Sequence, residues 1–179
     1  MKTRSDGSLE RYKARLVIKG YSQEYGVDYE ETFSPVARLT SVKSLLVVAA
    51  GKRWQLFQMD VKNACLNGDL LEDVYMKPPP GYAHPPNKVY RLRRALYGLK
   101  QAPRAWFSKF SSTIHRFGFR SSPHDNALFI QHTNNGYVLL LLDVDDMIIM
   151  ADDLQGIQDF KHFLHQEFEM KDLRLLNSF

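Results

Sequence analysis

Apolar residues recur at helical spacing in three stretches of the chain, which predicts three helices. The first covers residues 41 to about 50, and Thr40 is a suitable N-cap for it. The second begins at Pro103, because proline is tolerated in a first turn, and it ends before Gly118. The third follows Asp153, another good N-cap residue. The apolar stripes are Val42, Leu45, Leu46 and Ala49; Trp106, Phe110, Ile114 and Phe117; and Leu154, Ile157, Phe160, Leu164 and Phe168.

Shorter apolar runs bounded by turn residues predict the strands. These runs are residues 12–19, 55–59, 74–76, 88–92, 137–142 and 147–150. The last two flank four residues that include three aspartates, which predicts a hairpin with carboxylates at its tip. Short strands and helices without a regular alternation indicate an α+β fold.

Length and composition fit one ordinary globular domain. The chain has 179 residues, of which 44% are hydrophobic and 25% charged, which argues against a disordered or fibrous protein. No apolar run, including 137–142, exceeds six residues, which is far shorter than the roughly 20 residues of a membrane helix, and the N-terminus lacks the apolar core of a signal peptide. A single cysteine, Cys65, excludes an internal disulfide and a cysteine-based zinc site. We therefore expect an intracellular protein of the cytoplasm or nucleus, neither secreted nor membrane-bound.

Charge is distributed unevenly along the chain. Residues 88–120, the basic segment, contain nine Lys or Arg residues and no acid, whereas residues 121–179 contain three cations and ten acids. Aromatic residues lie between the cations, a combination that favours nucleic-acid binding. The simpler interpretation is a solvated charged face, and Trp106, Phe110 and Phe117 are predicted to be core residues rather than stacking platforms.

The acidic residues cluster where the apolar runs end. Asp145 and Asp146 lie between two apolar strands, and Asp60 ends another. Three carboxylates at strand ends of one sheet can hold two Mg²⁺ ions for phosphoryl transfer. An ordinary hairpin turn and an ordinary strand-end acid would explain the same residues. An apolar strand followed by Asp-x-Asp is also similar to haloacid-dehalogenase-like phosphatases, with Asp143 as nucleophile and Asp145 as general acid, but the 33 residues after Asp146 are too few for that fold.

Several segments, in order, carry a more specific resemblance. The chain reads QMDVKNACLNGDL at 58–70, LYGLKQAPRAW at 96–106 and VDDMII at 144–149. Together with segments 10–21, 28–38, 74–81 and 168–173, these resemble the reverse transcriptase domain of copia-type LTR retrotransposon polyproteins.

That resemblance implies a right-hand polymerase palm with fingers, in which an antiparallel palm sheet packs on helices and the thumb is absent from this chain. All of residues 1–179 would be a partial reverse transcriptase domain, with about 1–53 and 74–105 fingers-like and about 54–73 and 106–179 palm-like. The implied activity is RNA-directed DNA polymerisation from deoxynucleoside triphosphates, on an RNA or DNA template with a primer. Two Mg²⁺ ions would serve it, with Mn²⁺ as a substitute. The thumb and RNase H of the Pol polyprotein would be partners in an intact element.

The resemblance also assigns roles to residues. Asp60, Asp145 and Asp146 would be catalytic and would bind the metals, together with the backbone carbonyl of Val61. The implied nucleotide- or template-binding residues are Lys13 and Arg15 near the triphosphate, Val61, Cys65, Tyr97 and Gly98 lining the nucleotide site, and Lys100, Gln101 and Arg104 near the template or triphosphate.

Two residues depart from the family pattern. The family motif reads Tyr-Val-Asp-Asp, but Asp143 stands in place of the tyrosine, and a further carboxylate near the primer is expected to weaken polymerisation. Cys65 stands where the family usually has phenylalanine, and its smaller side chain is expected to weaken the exclusion of ribonucleotides. A missing thumb predicts weak duplex binding and exposed apolar surface. The alternatives are a non-catalytic nucleic-acid-binding remnant of a degraded retroelement and a chain without function.

Overall fold

A six-stranded antiparallel sheet dominates the computed structural model, which describes residues 2–3, 6–12 and 14–175. The strands in chain order are β1 (Lys2–Thr3), β2 (Leu9–Arg11), β3 (Gln55–Val61), β4 (Tyr75–Met76), β5 (Tyr90–Arg91), β6 (Arg120–Ser121), β7 (Leu128–Thr133), β8 (Gly136–Asp143), β9 (Asp146–Ala151) and β10 (Met170–Leu175). The large sheet has the order β10-β3-β9-β8-β7-β6, while β1 pairs with β2 and β4 pairs with β5. This arrangement confirms the α+β prediction.

In the described part of the chain, three α-helices cover the two faces of the large sheet. They are α1 (Leu39–Lys52), α2 (Ala102–Arg116) and α3 (Leu154–Glu167). The main core joins α2 and α3 to one face, where Phe57 and Met59 of the sheet meet Phe110 and Phe160. A smaller cluster joins α1 to Leu56, Leu139 and Met150 on the opposite face. Successive strand residues point to opposite faces, so this alternation separates the two clusters. No helix in the described part of the chain is long and apolar enough to cross a membrane.

The predicted helices are confirmed, but only one of the two predicted caps is. Asp153 precedes α3 and its carboxylate accepts a hydrogen bond from the Gly156 amide at 3.0 Å. The first helix begins one residue before Thr40, so the prediction that Thr40 caps it is wrong. The carboxylate of buried Asp125 instead ties the start of the helix to the rest of the protein, accepting from the Ser41 hydroxyl at 2.6 Å and from the amide of the N-cap residue, Arg38, at 3.3 Å.

The strand predicted at 12–19 is wrong. Within the described residues, this segment forms one isolated bridge, from Val17 to Tyr97, and the Ile18 amide donates to the Tyr97 carbonyl at 2.8 Å. The segment follows the loop before α2 because Gly20 and Gly98 allow their backbones to touch. A Cβ on Gly20 would lie 1.7 Å from the Gly98 carbonyl oxygen.

The predicted hairpin is confirmed and excludes the phosphatase interpretation. Strands β8 and β9 pair antiparallel in register from Val138 opposite Ala151 to Asp143 opposite Asp146. The aspartates therefore lie at a tight hairpin tip. The phosphatase fold needs them at the end of a strand in a parallel, doubly wound sheet.

Candidate active site

Three carboxylates lie side by side at one end of the large sheet. Asp60 of β3 is directly opposite Asp146 of β9, and Asp146 is directly opposite Asp143 of β8. Directly opposite residues of antiparallel strands point to the same face, so these three, the carboxylate row, share one surface. On the other side of Asp60, Lys171 of β10 is its register partner. Lys171 therefore flanks the Asp60 end of the row, and Asp143 forms its other end.

The fourth acid, Asp145, is fixed at the hairpin tip. Val144 and Asp145 form the two-residue connection between β8 and β9. The Val61 amide donates to the Asp145 carbonyl at 2.9 Å, and the Trp106 indole donates to the Val144 carbonyl at 2.6 Å. Two elements, β3 and α2, therefore hold consecutive backbone groups of the tip.

A cleft of about 450 Å³ opens beside these acids. It brings together five residues that the sequence singled out: Asp60, Val61, Asp145, Arg15 and Tyr97. Its walls are completed by Tyr12, Ala14, Lys62, Asn63, Glu169 and Lys171. The cleft joins the acidic end of the sheet to the segment near residue 15, which are far apart in sequence.

Burial and neighbouring like charges both act on the acids of this region. The pKa of Asp146 is raised, first by partial burial and then by the neighbouring carboxylates of Asp145, Asp60 and Asp143, while a hydrogen bond with Gln58 opposes the rise. Carboxylates this close favour either a proton or a bound cation. Within the described residues, no three acidic, histidine or cysteine side chains converge tightly enough to form a complete protein-only metal site.

Tyr97 forms the aromatic wall of the cleft. The Arg15 guanidinium lies 5.3 Å from the centre of its ring, and its hydroxyl donates to Asn63 Oδ1 at 3.4 Å. Burial raises the pKa of Tyr97, although Arg15 acts in the opposite direction. The phenol therefore remains neutral and able to donate at neutral pH.

Cys65 is half-buried and lies near Tyr97 and Asp145. It packs with Val74, Leu99 and Ala102 in a small apolar cluster. Burial raises the pKa of the thiol, and the nearby carboxylate of Asp145 adds to the rise. The side chain is thus a neutral, partly apolar neighbour of the acids.

The remaining predicted site residues that the structure describes do not line the cleft, and they contact other parts of the protein. Lys13 lies outside the described residues. Gln101 is buried, donates to the Asp28 carbonyl at 3.0 Å and accepts from the Gln23 amide at 3.0 Å. Lys100 Nζ donates to the Gln23 carbonyl at 3.1 Å and to the Tyr29 hydroxyl at 3.2 Å. These two side chains hold residues 23–29 in place.

Gly98 and Arg104 also have structural partners. Gly98 has a φ of +94°, and a Cβ there would lie 2.2 Å from the Ile18 carbonyl oxygen, so glycine allows the close approach of residues 17–20. Arg104 forms an ion pair with Glu31 and lines a separate groove along α2. The structure therefore separates Arg104 from the cleft.

Sequence reasoning missed three residues near the acids. Lys171 is placed beside Asp60 by strand register, which no local pattern reveals. Asn63 has a φ of +54°, and an asparagine soon after a strand is a detectable signal for such a left-handed position. Gln58 precedes Asp60 by two residues, so strand periodicity alone could have placed it on the same face.

Several cations of the basic segment form ion pairs with acids elsewhere in the chain. Arg91 pairs with Asp73, Lys109 with Asp69 at 3.1 Å, and Arg116 with Glu167 at 3.0 Å. The Arg104–Glu31 pair belongs to the same set. Among the residues that the structure describes, four of the nine cations in this segment therefore have acidic partners, all from outside it.

Comparisons with known proteins agree with this picture. The family model described as reverse transcriptase (RNA-dependent DNA polymerase) matches residues 1–179. The chain is 47% identical, over 99% of its length, to the retrovirus-related Pol polyprotein from transposon RE1 of Arabidopsis thaliana, and 42% identical, over 97%, to that from transposon TNT 1-94 of Nicotiana tabacum.

A more distant relative is the transposon Ty1-H Gag-Pol polyprotein of Saccharomyces cerevisiae, 28% identical over 92% of this chain. The chain spans only 12%, 13% and 9% of the lengths of these three relatives. No solved structure matches it. Because the family model covers every residue and two relatives are more than 40% identical over nearly the whole chain, the chain belongs to the reverse transcriptase (RNA-dependent DNA polymerase) family.

Proposed function

We propose that this chain is the palm and fingers portion of an RNA-directed DNA polymerase that adds deoxynucleotides to a primer 3′-hydroxyl. The observation that carries the proposal is the position of Asp60, directly opposite Asp146 and in one cleft with Asp145, Arg15 and Tyr97. Residues of about 54–73 and 106–179, which include the large sheet, most of α2 and all of α3, would correspond to the palm. Residues 1–53 and 74–105 correspond to the fingers.

The donor set fits divalent metal ions of the Mg²⁺ type. Mg²⁺ is usually held by one or two carboxylates with substrate phosphates and water, so an incomplete protein site is the expected arrangement. Asp60, Asp145 and Asp146 would hold the ions, with the Val61 carbonyl as a further ligand. When bound, two such ions neutralise charge on the attacking and leaving oxygens of phosphoryl transfer. Mn²⁺ would be a substitute.

The protein groups around the acids would position the nucleotide. Arg15 lines the same cleft as Asp60 and Asp145 and is suited to a triphosphate oxygen, because guanidinium pairs well with phosphate. Tyr97 offers an apolar ring face and a neutral hydroxyl to the sugar or base. Little covalent work is required of side chains in phosphoryl transfer, so positioning and charge neutralisation would supply most of the rate.

The proposed partners follow from the same chemistry. A primed RNA or DNA template and deoxynucleoside triphosphates would be the substrates, and the remainder of the Pol polyprotein, including thumb and RNase H, would contribute the grip on the duplex. An intracellular location is the setting in which such substrates are available.

Primer extension tests the proposal directly. The chain is supplied with a primed template, deoxynucleoside triphosphates and Mg²⁺ or Mn²⁺, next to the Asp145→Asn and Asp143→Tyr variants. We expect metal-dependent extension that Asp145→Asn abolishes and Asp143→Tyr increases. Extension that is unaffected by Asp145→Asn would contradict the proposed site.

A second candidate function is nucleic-acid binding without catalysis. Asp143 favours it, because this acid extends the carboxylate row where the family has an aromatic residue and adds negative charge near the proposed primer site. Binding would then weaken steeply with salt while no nucleotide is incorporated. Equal, salt-dependent binding by the wild type and Asp145→Asn, with extension by neither, would support this candidate.

A further inference from the structure

The tip of the β8–β9 hairpin has a backbone conformation that its sequence does not favour. Val144 has a φ of +57°, in the left-handed region. A β-branched residue is an outlier there, because its side chain crowds the backbone, and tight hairpin turns normally use glycine or asparagine at such positions. Something outside the tip must therefore hold Val144 in this conformation.

One contact to this strained residue comes from α2. The Trp106 indole N–H donates to the carbonyl oxygen of Val144 at 2.6 Å. Trp106 is only 1% exposed, and its ring lies 5.3 Å from that of Phe110 and 5.2 Å from that of Phe168. The Trp106 side chain is thus fixed by burial and aromatic packing. Its indole N–H, the one hydrogen-bonding group of the side chain, binds the strained residue Val144.

The backbone of Trp106 is fixed as well. Gly68 packs so closely on the helix that a Cβ there would lie 2.6 Å from the Trp106 nitrogen. The segment that carries Gly68 leads back to Asp60 within eight residues, and the Val61 amide holds the neighbouring Asp145 carbonyl. Helix α2, the residues that follow β3 and the hairpin tip are therefore held together by direct contacts.

We propose that Trp106 is a positioning residue for the carboxylates of Asp145 and Asp146. Its hydrogen bond keeps the Val144 peptide in the left-handed conformation, and this sets the direction in which the next two side chains leave the backbone. The inference rests on the proposed metal-dependent function. It adds a residue that would act on the metals only through the hairpin backbone.

The test uses Mn²⁺ as the probe and Trp106→Phe as the main variant. Phenylalanine retains an aromatic ring but removes the N–H donor, which leaves the Val144 carbonyl without this partner. Trp54→Phe is the matched control, because Trp54 is the other tryptophan of the chain and packs with α1 at the opposite end of β3. Electron paramagnetic resonance measures Mn²⁺ affinity, and thermal unfolding by circular dichroism verifies the fold of each variant.

We expect Trp106→Phe to weaken Mn²⁺ binding about tenfold or more, as for other groups that orient metal ligands, while Trp54→Phe changes it little. Val144→Gly provides a second arm, because glycine adopts a positive φ without crowding. In the Val144→Gly background, the loss caused by Trp106→Phe should be smaller. Equal Mn²⁺ affinity of wild type and a folded Trp106→Phe variant would overturn the inference, as would fully additive effects in this cycle.

The wild-type protein provides a test that does not depend on a variant folding. The two indole N–H groups give two NMR signals, and added Mn²⁺ should broaden that of Trp106 selectively while the Trp54 signal persists. Equal broadening of both signals would place the bound Mn²⁺ away from the hairpin tip and would overturn the proposed metal site together with the inference. Absence of Mn²⁺ binding by the wild type would overturn the proposed function and the inference with it, whereas wild-type binding that Trp106→Phe retains would overturn the inference alone.

Discussion

The carboxylate row and the basic segment show two different outcomes of concentrated charge. The acids of the row are brought next to acids, since Asp60, Asp146 and Asp143 are consecutive register partners. Cations of the basic segment are brought next to acids instead, as in the Arg104–Glu31 and Arg116–Glu167 pairs. Both regions are equally conspicuous in the sequence.

The difference shows which charge cluster depends on a ligand. An ion pair within the protein lowers the attraction for an external partner, and exposed pairs of this kind contribute only about 0–1 kcal/mol to stability. Like charges directly opposite each other on a sheet are unfavourable until a cation or a proton arrives. The row is therefore the stronger indication of function.

The largest effect is expected from removing Asp60, the acid that belongs both to the carboxylate row and to the cleft. Asp60→Asn should reduce Mn²⁺ affinity by about 100-fold, because it removes a proposed ligand rather than a group that orients one. Titration calorimetry with Mn²⁺ measures the change. Asp69→Asn is the matched control, since Asp69 is an acid already paired with Lys109. Similar losses in both variants would show that the row has no special affinity for cations.

A smaller effect is expected at the outer acid of the row. Asp143→Asn removes the charge without restoring an aromatic ring, whereas Asp143→Tyr does both. Two charges about 4 Å apart in water repel by about 1 kcal/mol, so relief of charge alone should raise primer extension about fivefold in both variants. Extension that increases only with tyrosine would assign the defect to the missing ring. No increase in either variant would contradict the hypothesis that Asp143 weakens polymerisation.

The pH dependence of stability gives a third test. The folded state raises the pKa of Asp146, so above this pKa the ionised carboxylate is penalised in the folded protein. In a metal chelator at pH 7, Asp146→Asn should therefore raise Tm by about 1–2 °C, a small effect because solvent screens the exposed charges. The advantage should disappear as the pH falls below the ordinary carboxyl value of 3.8, where the acid is protonated in both states. An advantage that persists at acid pH would exclude relief of charge repulsion as its cause.

The smallest effect is expected in the basic segment. Arg104→Ala removes the ion pair with Glu31, and urea unfolding should show a loss of less than about 1 kcal/mol. Mn²⁺ affinity should be unchanged, because Arg104 lies outside the cleft. A marked loss of template affinity would instead restore the direct nucleic-acid contact that the family resemblance implies for this residue.

Local sequence patterns predicted the parts of the fold that depend on neighbouring residues. The stripe that contains Trp106 and Phe110 defined α2, and the apolar runs around residues 143–146 defined the hairpin. Asp153 was recognisable as a cap because its partner is Gly156, three residues away. The strand prediction for 12–19 was wrong although the residue pattern is typical of a strand. The backbone partner of this segment is the loop at Tyr97 rather than another strand.

The candidate site divides in the same way. Asp60, Asp145 and Asp146 were identified from their places at strand ends and from motifs, but not their order across the sheet. Lys171 could not be found, because its place beside Asp60 follows from the pairing of β10 with β3. Gln101 looked like a substrate-facing residue, yet its amide is used by Asp28 and Gln23.

The sequence by itself determined the helices, the acidic hairpin and the family, because these depend on spacing and short motifs within one segment. The tertiary structure decided which distant side chains and backbone groups become hydrogen-bond partners. Asp125 rather than Thr40 supports the start of α1, and Trp106 supplies a donor to the hairpin in addition to filling the core. Such assignments join residues about 40 to 85 positions apart, and hydrogen-bond partners at that separation are selected by packing rather than by local preference.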